Sequence, residues 1–231
     1  MSTNRRALMV GASRGLGLGL TAELLTRGWN VMATARDPAR AEGLQKLAAR
    51  GNGKLHIERL DVDQAADLDA LAARLPDKLD LLFVNAGIAG PANETALTAT
   101  REGLAQIMWT NALAPIRIAE RLLPHIVDGG TVAFMSSILG SVGENTSGGY
   151  DLYRISKASL NMLARGFAAT SARDRKVTVL NLHPGWVRTD MGGPSAPLGI
   201  EESVRGLVNV LETQHGAKHL YLDYRGREIP W

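Results

Sequence analysis

The segment that decides the fold is Ala7-Leu8-Met9-Val10-Gly11-Ala12-Ser13-Arg14-Gly15-Leu16-Gly17, in which an apolar run leads into three glycines. The run predicts a short buried strand, and residues 15–27 behind it predict a helix. Glycine has no Cβ, so the chain can turn sharply here and another molecule can approach the backbone closely. The N–H groups that open the helix would attract a phosphate. A turn that is glycine-rich only for tight packing is the alternative.

The same alternation of strand and helix continues along all 231 residues. The predicted strands are Ala7–Val10, Val31–Ala35, Leu55–Leu60, Leu81–Val84, Val132–Met135, Val177–Leu182 and His219–Leu222. The predicted helices are 15–27, 39–50, 64–74, 101–123, 152–172 and 201–214. Buried strands separated by helices predict an α/β fold, a doubly wound parallel sheet of Rossmann type with helices on both faces. No repeat or linker divides the chain, so we expect a single domain over residues 1–231.

Composition excludes several classes of protein. The sequence has no cysteine, which excludes disulfides, thiolate catalysis and cysteine-ligated zinc. Its net charge is +3 and its basic residues are scattered, so we expect no nucleic-acid partner. No apolar stretch has the length of a membrane span, and the run at residues 7–10 is too short for the core of a signal peptide. We therefore expect a cytoplasmic protein that does not bind membranes.

The end of the second predicted strand indicates which dinucleotide the glycine turn would bind. Sites that prefer NAD place an acidic residue there, about 20 positions beyond the glycines, on the ribose 2′-hydroxyl. This chain has Arg36, whose guanidinium suits a 2′-phosphate, and Arg14 could supply a second cation. Asp37 could face the ribose instead, and both arginines could be ordinary surface residues. We predict that NADP(H) is preferred over NAD(H).

Two further motifs extend this pattern to a family. Asp61-Val62 follows the third predicted strand, and Asn85-Ala86-Gly87 (Asn85–Gly87) follows the fourth. Together with the glycine spacing, these motifs resemble those of the short-chain dehydrogenase/reductase family. The resemblance implies that the aspartate binds the adenine amino group and the valine packs beside the ring. It also implies that the asparagine braces the central strand, while Ala86 and Gly87 let the backbone approach the cofactor. Val10 and Val84 replace the threonine and asparagine usual in the family.

Tyr153 and Lys157 are the candidate acid–base pair. They are four residues apart at the start of a predicted helix, so both side chains lie on one face. A free tyrosine has a pKa of about 10, and we expect the neighbouring ammonium to lower it. An ordinary amphipathic helix is the alternative. Tyr150 is a poorer candidate because Arg154, rather than a lysine, stands four residues after it.

The resemblance implies two more catalytic residues. Ser137, three residues before Gly140, matches the family's catalytic serine, whose hydroxyl binds the substrate oxygen, and Ser136 is structural. Asn111 lies in the predicted helix 101–123, and Pro115 leaves its carbonyl without a helical partner. In the family the matching asparagine holds a water that relays protons to the lysine. A kinked packing helix is the alternative.

After the sixth strand, Pro184-Gly185-Trp186-Val187-Arg188-Thr189 resembles the family's turn that orients the nicotinamide, with Thr189 on its carboxamide. We expect no metal site, since His183 has no second histidine at ligand spacing. The predicted cofactor-binding residues are Gly11, Ser13, Arg14, Gly15, Leu16, Gly17, Arg36, Asp61, Val62, Asn85, Ala86, Gly87, Tyr153, Lys157, Pro184, Gly185, Val187 and Thr189.

The resemblance implies an NADP(H)-dependent oxidoreductase that transfers hydride between nicotinamide and a small carbonyl or alcohol substrate. Tyr-Arg-Ile-Ser-Lys at 153–157 and the ending Ile229-Pro230-Trp231 are similar to the carbonyl reductase and C-factor-like branch. An NAD-linked alcohol dehydrogenase and a C-factor-like signalling protein that binds the cofactor are the alternatives. We expect a homodimer or homotetramer, a flexible loop over 140–150, and a short lid over 191–199 that leaves the pocket open.

Overall fold

The computed structural model describes residues 5–50, 53–75, 78–90 and 95–231. Its seven strands form one sheet in the order β3-β2-β1-β4-β5-β6-β7, and every neighbouring pair is parallel. The strands are β1 Arg6–Val10, β2 Asn30–Ala35, β3 Leu55–Arg59, β4 Leu79–Val84, β5 Ile126–Met135, β6 Thr178–His183 and β7 His219–Asp223. The predicted α/β fold is confirmed, with every predicted strand present.

Helices connect the strands and cover both faces of the sheet. They are α1 Gly15–Thr26, α2 Glu42–Arg50, α3 Ala65–Ala72, α4 Arg101–Met108, α5 Ala114–Leu122, α6 Asp151–Ala169 and α7 Ile200–Thr213. Short 3-10 turns lie at Pro38–Arg40, Leu123–His125 and Ile138–Gly140. The predicted helix 101–123 is wrong in one respect, because a π-helical turn at Trp109–Leu113 separates α4 from α5.

The core consists of two apolar layers, one on each side of the sheet. Strand β1 shows how they are built, since Ala7 and Met9 face one layer while Leu8 and Val10 face the other. Successive side chains of a strand point to opposite faces, and both faces are covered here. This is why the central strands are apolar throughout rather than alternating.

The strand order places a crevice at the carboxyl edge of the sheet. From β1 the chain proceeds to β2 on one side and later to β4 on the other. The connections that leave β1 and β4 therefore diverge, and ligands of doubly wound sheets bind in the gap between them. The glycine turn and Asn85–Gly87 follow these two strands directly.

Two kinds of feature are absent from the described part of the chain. None of its helices combines the length and the apolar character needed to cross a bilayer. Nor do its histidines and carboxylates form any group of three that could hold a metal ion.

Candidate active site

The glycine turn forms a cradle that side chains would fill. Gly11 and Gly15 have φ values of +81° and +55°, in the left-handed region that favours glycine. A Cβ at Gly11 would lie 2.8 Å from the backbone of Ala86, and one at Gly17 would lie 2.1 Å from the carbonyl oxygen of Gly11. No side chain caps the first turn of α1, and no acidic residue lies in it. An open cradle on an uncapped helix N-terminus fits a dinucleotide pyrophosphate.

Asn85 and Thr34 hold this cradle in shape. The Asn85 side-chain amide donates to the Gly11 carbonyl at 2.7 Å, while its own backbone N–H donates to Val10 at 3.0 Å. The hydroxyl of Thr34 accepts from the Gly11 N–H at 3.2 Å. The bracing role expected of Asn85 therefore has a physical basis. The sequence did not single out Thr34, since nothing in the residues of β2 shows that this hydroxyl contacts the glycine turn.

At the end of β2, Arg36 is exposed, and its side chain contacts no partner among the described residues. Asp37 is engaged, because its carboxylate accepts from the N–H groups of Ala39 and Arg40 at 3.1 and 3.3 Å. Asp37 thus caps the following turn. Arg14, the expected second cation, forms an ion pair with Asp190.

Asp61 and Val62 follow β3 and are both partly buried. The Asp61 carboxylate accepts from the backbone N–H of Asp63 at 3.2 Å, and its backbone N–H donates to Asp67 at 2.9 Å. Val62 packs against the core layer that also contains Leu60 and Leu68. This loop therefore has a defined shape beside the crevice, on the same edge of the sheet as the glycine cradle.

The structure brings together the three side chains expected to do the chemistry. The side chain of Ser137 lies close enough to the phenol of Tyr153 to act on its pKa. The Lys157 ammonium lies 5.6 Å from the centre of the Tyr153 ring and donates to the carbonyl oxygen of Met135 at 2.9 Å. Ser137 also accepts from the N–H of Leu139 at 3.2 Å, so its own hydrogen is left to donate.

The pKa values of this pair differ from the expectation. Burial raises the pKa of Tyr153 to about 12, although its hydrogen bond to Ser137 acts in the opposite direction. Burial also lowers the pKa of Lys157 to about 8. Loss of solvent penalises the charged form of each group, and the ammonium does not overcome that penalty for the phenol. Tyr153 is therefore protonated at neutral pH and can act as a proton donor.

Asn111 lies in the π-helical turn, fully buried beside the lysine. The N–H of Ala114 bonds to the carbonyl of Trp109, five residues back, so the chain answers the missing N–H of Pro115 by widening the helix. The Asn111 side chain exchanges two hydrogen bonds of 2.8 Å with the backbone of Ile88. Such turns often lie at functional sites.

Gly87 separates Asn111 from the lysine. A Cβ at Gly87 would lie 3.2 Å from the Asn111 side-chain oxygen and 3.5 Å from the Lys157 ammonium. The chain after β4 therefore runs close to both groups, and a side chain at Gly87 would crowd the Asn111 oxygen.

The turn after β6 closes the other side of the crevice. Gly185 has a φ of +84°, and a Cβ there would lie 2.7 Å from Leu198. The methyl group of Thr189 lies 3.8 Å from the Cβ position of Gly15, and the Thr189 hydroxyl accepts from the Gly192 N–H at 3.0 Å. The segment expected to bind the pyrophosphate and the segment expected to bind the nicotinamide thus meet across the crevice. The Arg14–Asp190 ion pair joins the same two segments.

The structure describes both the segment predicted as a lid and the loop predicted over 140–150. Arg188 donates to the carbonyls of Ala196 and Pro197 at 2.9 and 2.7 Å, and the Trp186 indole donates to Gly192 at 2.8 Å. Residues 191–199 are therefore tied to the turn that precedes them. The loop expected over 140–150 is exposed from Val142 to Tyr150.

His183 is a partly buried group that the sequence did not suggest as part of the site. Burial lowers its pKa to about 4, although Asp223 acts in the opposite direction. Its Nδ1 atom is buried and has no hydrogen-bond partner among the described residues. His183 is thus neutral at pH 7, directly before Pro184.

Sequence and structure comparisons define the class of protein. Residues 5–197 match the short chain dehydrogenase family. The chain belongs to the short-chain dehydrogenase/reductase family of oxidoreductases, which confirms the resemblance inferred from its motifs.

Individual relatives show which members of the family this chain is similar to. The chain is similar to the C-signal protein of Myxococcus xanthus, with 40% identity over 158 residues, covering 66% of this chain and 93% of that protein. It is also similar to a short-chain dehydrogenase/reductase structure from Burkholderia multivorans with bound NADP, at 43% identity and a TM-score of 0.93, covering 98% and 99% of the two chains. A Pseudomonas aeruginosa carbonyl reductase in complex with NADP gives 42% identity, a TM-score of 0.91 and the same coverage.

Proposed function

We propose that this protein is an NADP(H)-dependent carbonyl reductase that acts on small aldehydes or ketones through Ser137, Tyr153, Lys157 and Asn111. One observation carries the proposal: the Tyr153 phenol lies beside the Ser137 side chain, with the buried Lys157 ammonium 5.6 Å from its ring centre, on the edge of the sheet that holds the glycine cradle. The raised pKa of Tyr153 supports a role as proton donor during reduction, since the protonated phenol is the form that donates.

Preference for NADP(H) is supported by two local features. The Arg36 side chain is exposed and unengaged within the described chain, while Asp37 is used as a cap. A 2′-phosphate would give the guanidinium a partner for two charge-assisted hydrogen bonds. The Burkholderia and Pseudomonas structures described above both contain NADP.

When bound, the reduced nicotinamide supplies the hydride, and the protein supplies position and protons. The glycine cradle would hold the pyrophosphate of the dinucleotide, and the turn at 184–189 would hold its nicotinamide end. The hydroxyls of Ser137 and Tyr153 would grip the carbonyl oxygen, which stabilises the negative charge that grows on it. Tyr153 gives that oxygen its proton, and the alcohol product is complete. The Lys157 ammonium then favours return of a proton to the phenolate, and Asn111 would hold the water that delivers it.

Two alternatives make different predictions. The likeness to C-signal of Myxococcus xanthus favours a signalling protein that binds the cofactor and turns it over only incidentally. A pure binder has no need of an acid–base pair, so a large loss of rate on removing the Tyr153 hydroxyl separates the two. An NAD-linked alcohol dehydrogenase would bind NADH at least as tightly as NADPH.

The decisive experiment follows NADPH consumption over a panel of aldehydes and ketones. Tyr153→Phe removes the proton donor, and we expect it to reduce kcat/KM about 10²- to 10⁴-fold. Tyr150→Phe is the matched control, because it removes an exposed phenol three residues away and should keep the wild-type rate. Equal rates in Tyr153→Phe and Tyr150→Phe would eliminate the assignment.

We also propose a homo-oligomer. Trp109, Leu113, Ile155 and Met162 lie on the π turn and α6, and they are 39%, 40%, 46% and 72% exposed. Large apolar side chains left at the surface favour an interface between subunits. Sedimentation of the purified protein would test it, and a monomer at micromolar concentration would contradict it. The cytoplasmic location stays a prediction.

A further inference from the structure

A buried polar cluster holds the serine segment from behind. The Ser136 hydroxyl donates to the Asn161 side-chain oxygen at 2.7 Å, and the Asn161 amide nitrogen donates to the Gly140 carbonyl at 3.3 Å. The phenol of Tyr221 donates to the carbonyl oxygen of Ser137 itself. Hydrogen bonds therefore hold the segment from 136 to 140 at both ends and at Ser137.

Asn161 belongs to the helix that carries the acid–base pair. Tyr153, Lys157 and Asn161 follow one another at intervals of four residues on α6, so they share one face. A Cβ at Gly140 would lie 2.9 Å from the Lys157 Cβ, which shows how closely the serine segment packs on this face. One helix thus presents the phenol, the ammonium and the amide that fixes the serine opposite them.

Two strands hold the amide in a single orientation. Asn181 of β6 donates to the Asn161 oxygen at 2.8 Å, and the Asn181 oxygen pairs with His219 of β7 at 3.0 Å. Because the Asn161 oxygen receives hydrogens from both Ser136 and Asn181, its nitrogen must face Gly140. Burial raises the pKa of Tyr221 to about 12, so that phenol keeps the hydrogen it donates.

All members of the cluster have little access to water. Asn161 is 5% exposed, Tyr221 and Ser136 are 2% exposed, and Asn181 is fully buried. Hydrogen bonds are strong in such surroundings, and a partner removed from one leaves the other group unsatisfied. The cluster therefore resists displacement of the serine segment.

We propose that Asn161 and Tyr221 are positioning residues that set the Ser137 hydroxyl at hydrogen-bonding distance from Tyr153. The proposal rests on the proposed function, in which Ser137 and Tyr153 hold the same carbonyl oxygen. Asn161 and Tyr221 form hydrogen bonds with the segment 136–140 and not with Tyr153 or Lys157, so in this proposal each acts through Ser137. A displacement of about 1 Å in such a site can reduce the rate about 100-fold.

The test is a pair of double-mutant cycles on NADPH-dependent carbonyl reduction. Tyr221→Phe keeps the ring and removes only the donated hydrogen, and Asn161→Ala removes the amide. We expect each to lower kcat about 10- to 100-fold with little change in the KM for NADPH. In a Ser137→Ala background each should cost less than about 2-fold, because the residue through which it acts is gone.

Thr178→Val is the matched control. Thr178 is fully buried and its hydroxyl donates to the Gly216 carbonyl at 2.9 Å, but it begins β6 at the opposite edge of the sheet. Loss of this bond should lower stability and leave kcat within about 2-fold of wild type. If the rate losses came only from lower stability, Thr178→Val would lower kcat as Tyr221→Phe and Asn161→Ala do.

Amide hydrogen exchange without cofactor gives a second readout. The N–H of Gly140 bonds to Ser137 at 2.8 Å and that of Ser141 bonds to Ile138 at 3.0 Å. Both amides should exchange faster in Tyr221→Phe and Asn161→Ala, but not in Thr178→Val.

Two results overturn the positioning role: rate losses that persist undiminished in the Ser137→Ala background, or unchanged exchange of these amides in both variants. A wild-type rate in Ser137→Ala alone would instead remove the serine from the proposed mechanism, and the positioning role with it.

Discussion

Replacing Gly17 by alanine tests the glycine cradle most directly. The added Cβ would lie 2.1 Å from the Gly11 carbonyl oxygen and 2.6 Å from the Asn85 amide nitrogen, the two atoms of the hydrogen bond that joins β1 to β4. Overpacking costs about 1–3 kcal/mol, and loss of the hydrogen bond adds about 1 kcal/mol. Alanine regains about 1 kcal/mol of helix propensity. We expect a net loss of about 1–3 kcal/mol in the free energy of unfolding.

Gly166→Ala supplies the control for helix propensity. Gly166 is also helical, but it is exposed on α6 and no atom lies within 4 Å of its Cβ position. Urea unfolding should show this variant stabilised by up to about 1 kcal/mol. Fluorescence titration should show NADPH binding weakened at least about 10-fold by Gly17→Ala only. Equal stability and equal affinity in the two variants would refute the close approach on which the cradle depends.

Three further predictions concern charge. The rate of carbonyl reduction should fall as pH rises through about 8, where Lys157 loses its proton while Tyr153 keeps its own, and a profile flat to pH 10 would contradict this. Arg36→Ala should raise the KM for NADPH about 10- to 100-fold and leave that for NADH unchanged, so equal effects on both cofactors would remove the 2′-phosphate contact. Burial lowers the pKa values of His183 and His219 to about 4, below the unfolded value of 6.5. This contribution to stability is present above pH 6.5 and is lost as pH falls towards 4. Urea unfolding should show up to about 2 kcal/mol lost by pH 5 for His183 and less for the more exposed His219; equal stability at pH 7 and pH 5 would exclude it.

The strands were predictable because a strand buried on both faces consists of consecutive apolar residues. Leu8, Met9 and Val10 are apolar in sequence since both faces of β1 are covered. The functional edge was predictable for a related reason: polar residues and glycines follow directly where parallel strands end. Both inferences use only neighbouring residues.

Features that depend on distant contacts were not predictable. Asp190 is remote in sequence from Arg14, so nothing local indicates their ion pair. The spacing of Tyr153 and Lys157 indicated that they are close but not how deeply they are buried, and depth decides the direction of the tyrosine pKa.

Proline chemistry indicated that the helix around Asn111 must be irregular, but not how. Pro115 removes one hydrogen bond whether the helix kinks, breaks or widens. The choice of a π-helical turn depends on the bonds that the buried side chain makes with Ile88, and these belong to tertiary structure.

The π-helical turn at Trp109–Leu113 also limits how the chain length can vary. Each residue of an α-helix advances the direction of the side chains by about 100°. Deleting one residue from this turn would remove the extra width and rotate α4 by about that angle relative to α5. The amide that grips Ile88 would then face away from it. We therefore expect an insertion or deletion at any of these five positions to break the Asn111–Ile88 hydrogen bonds, as a change of Asn111 itself would.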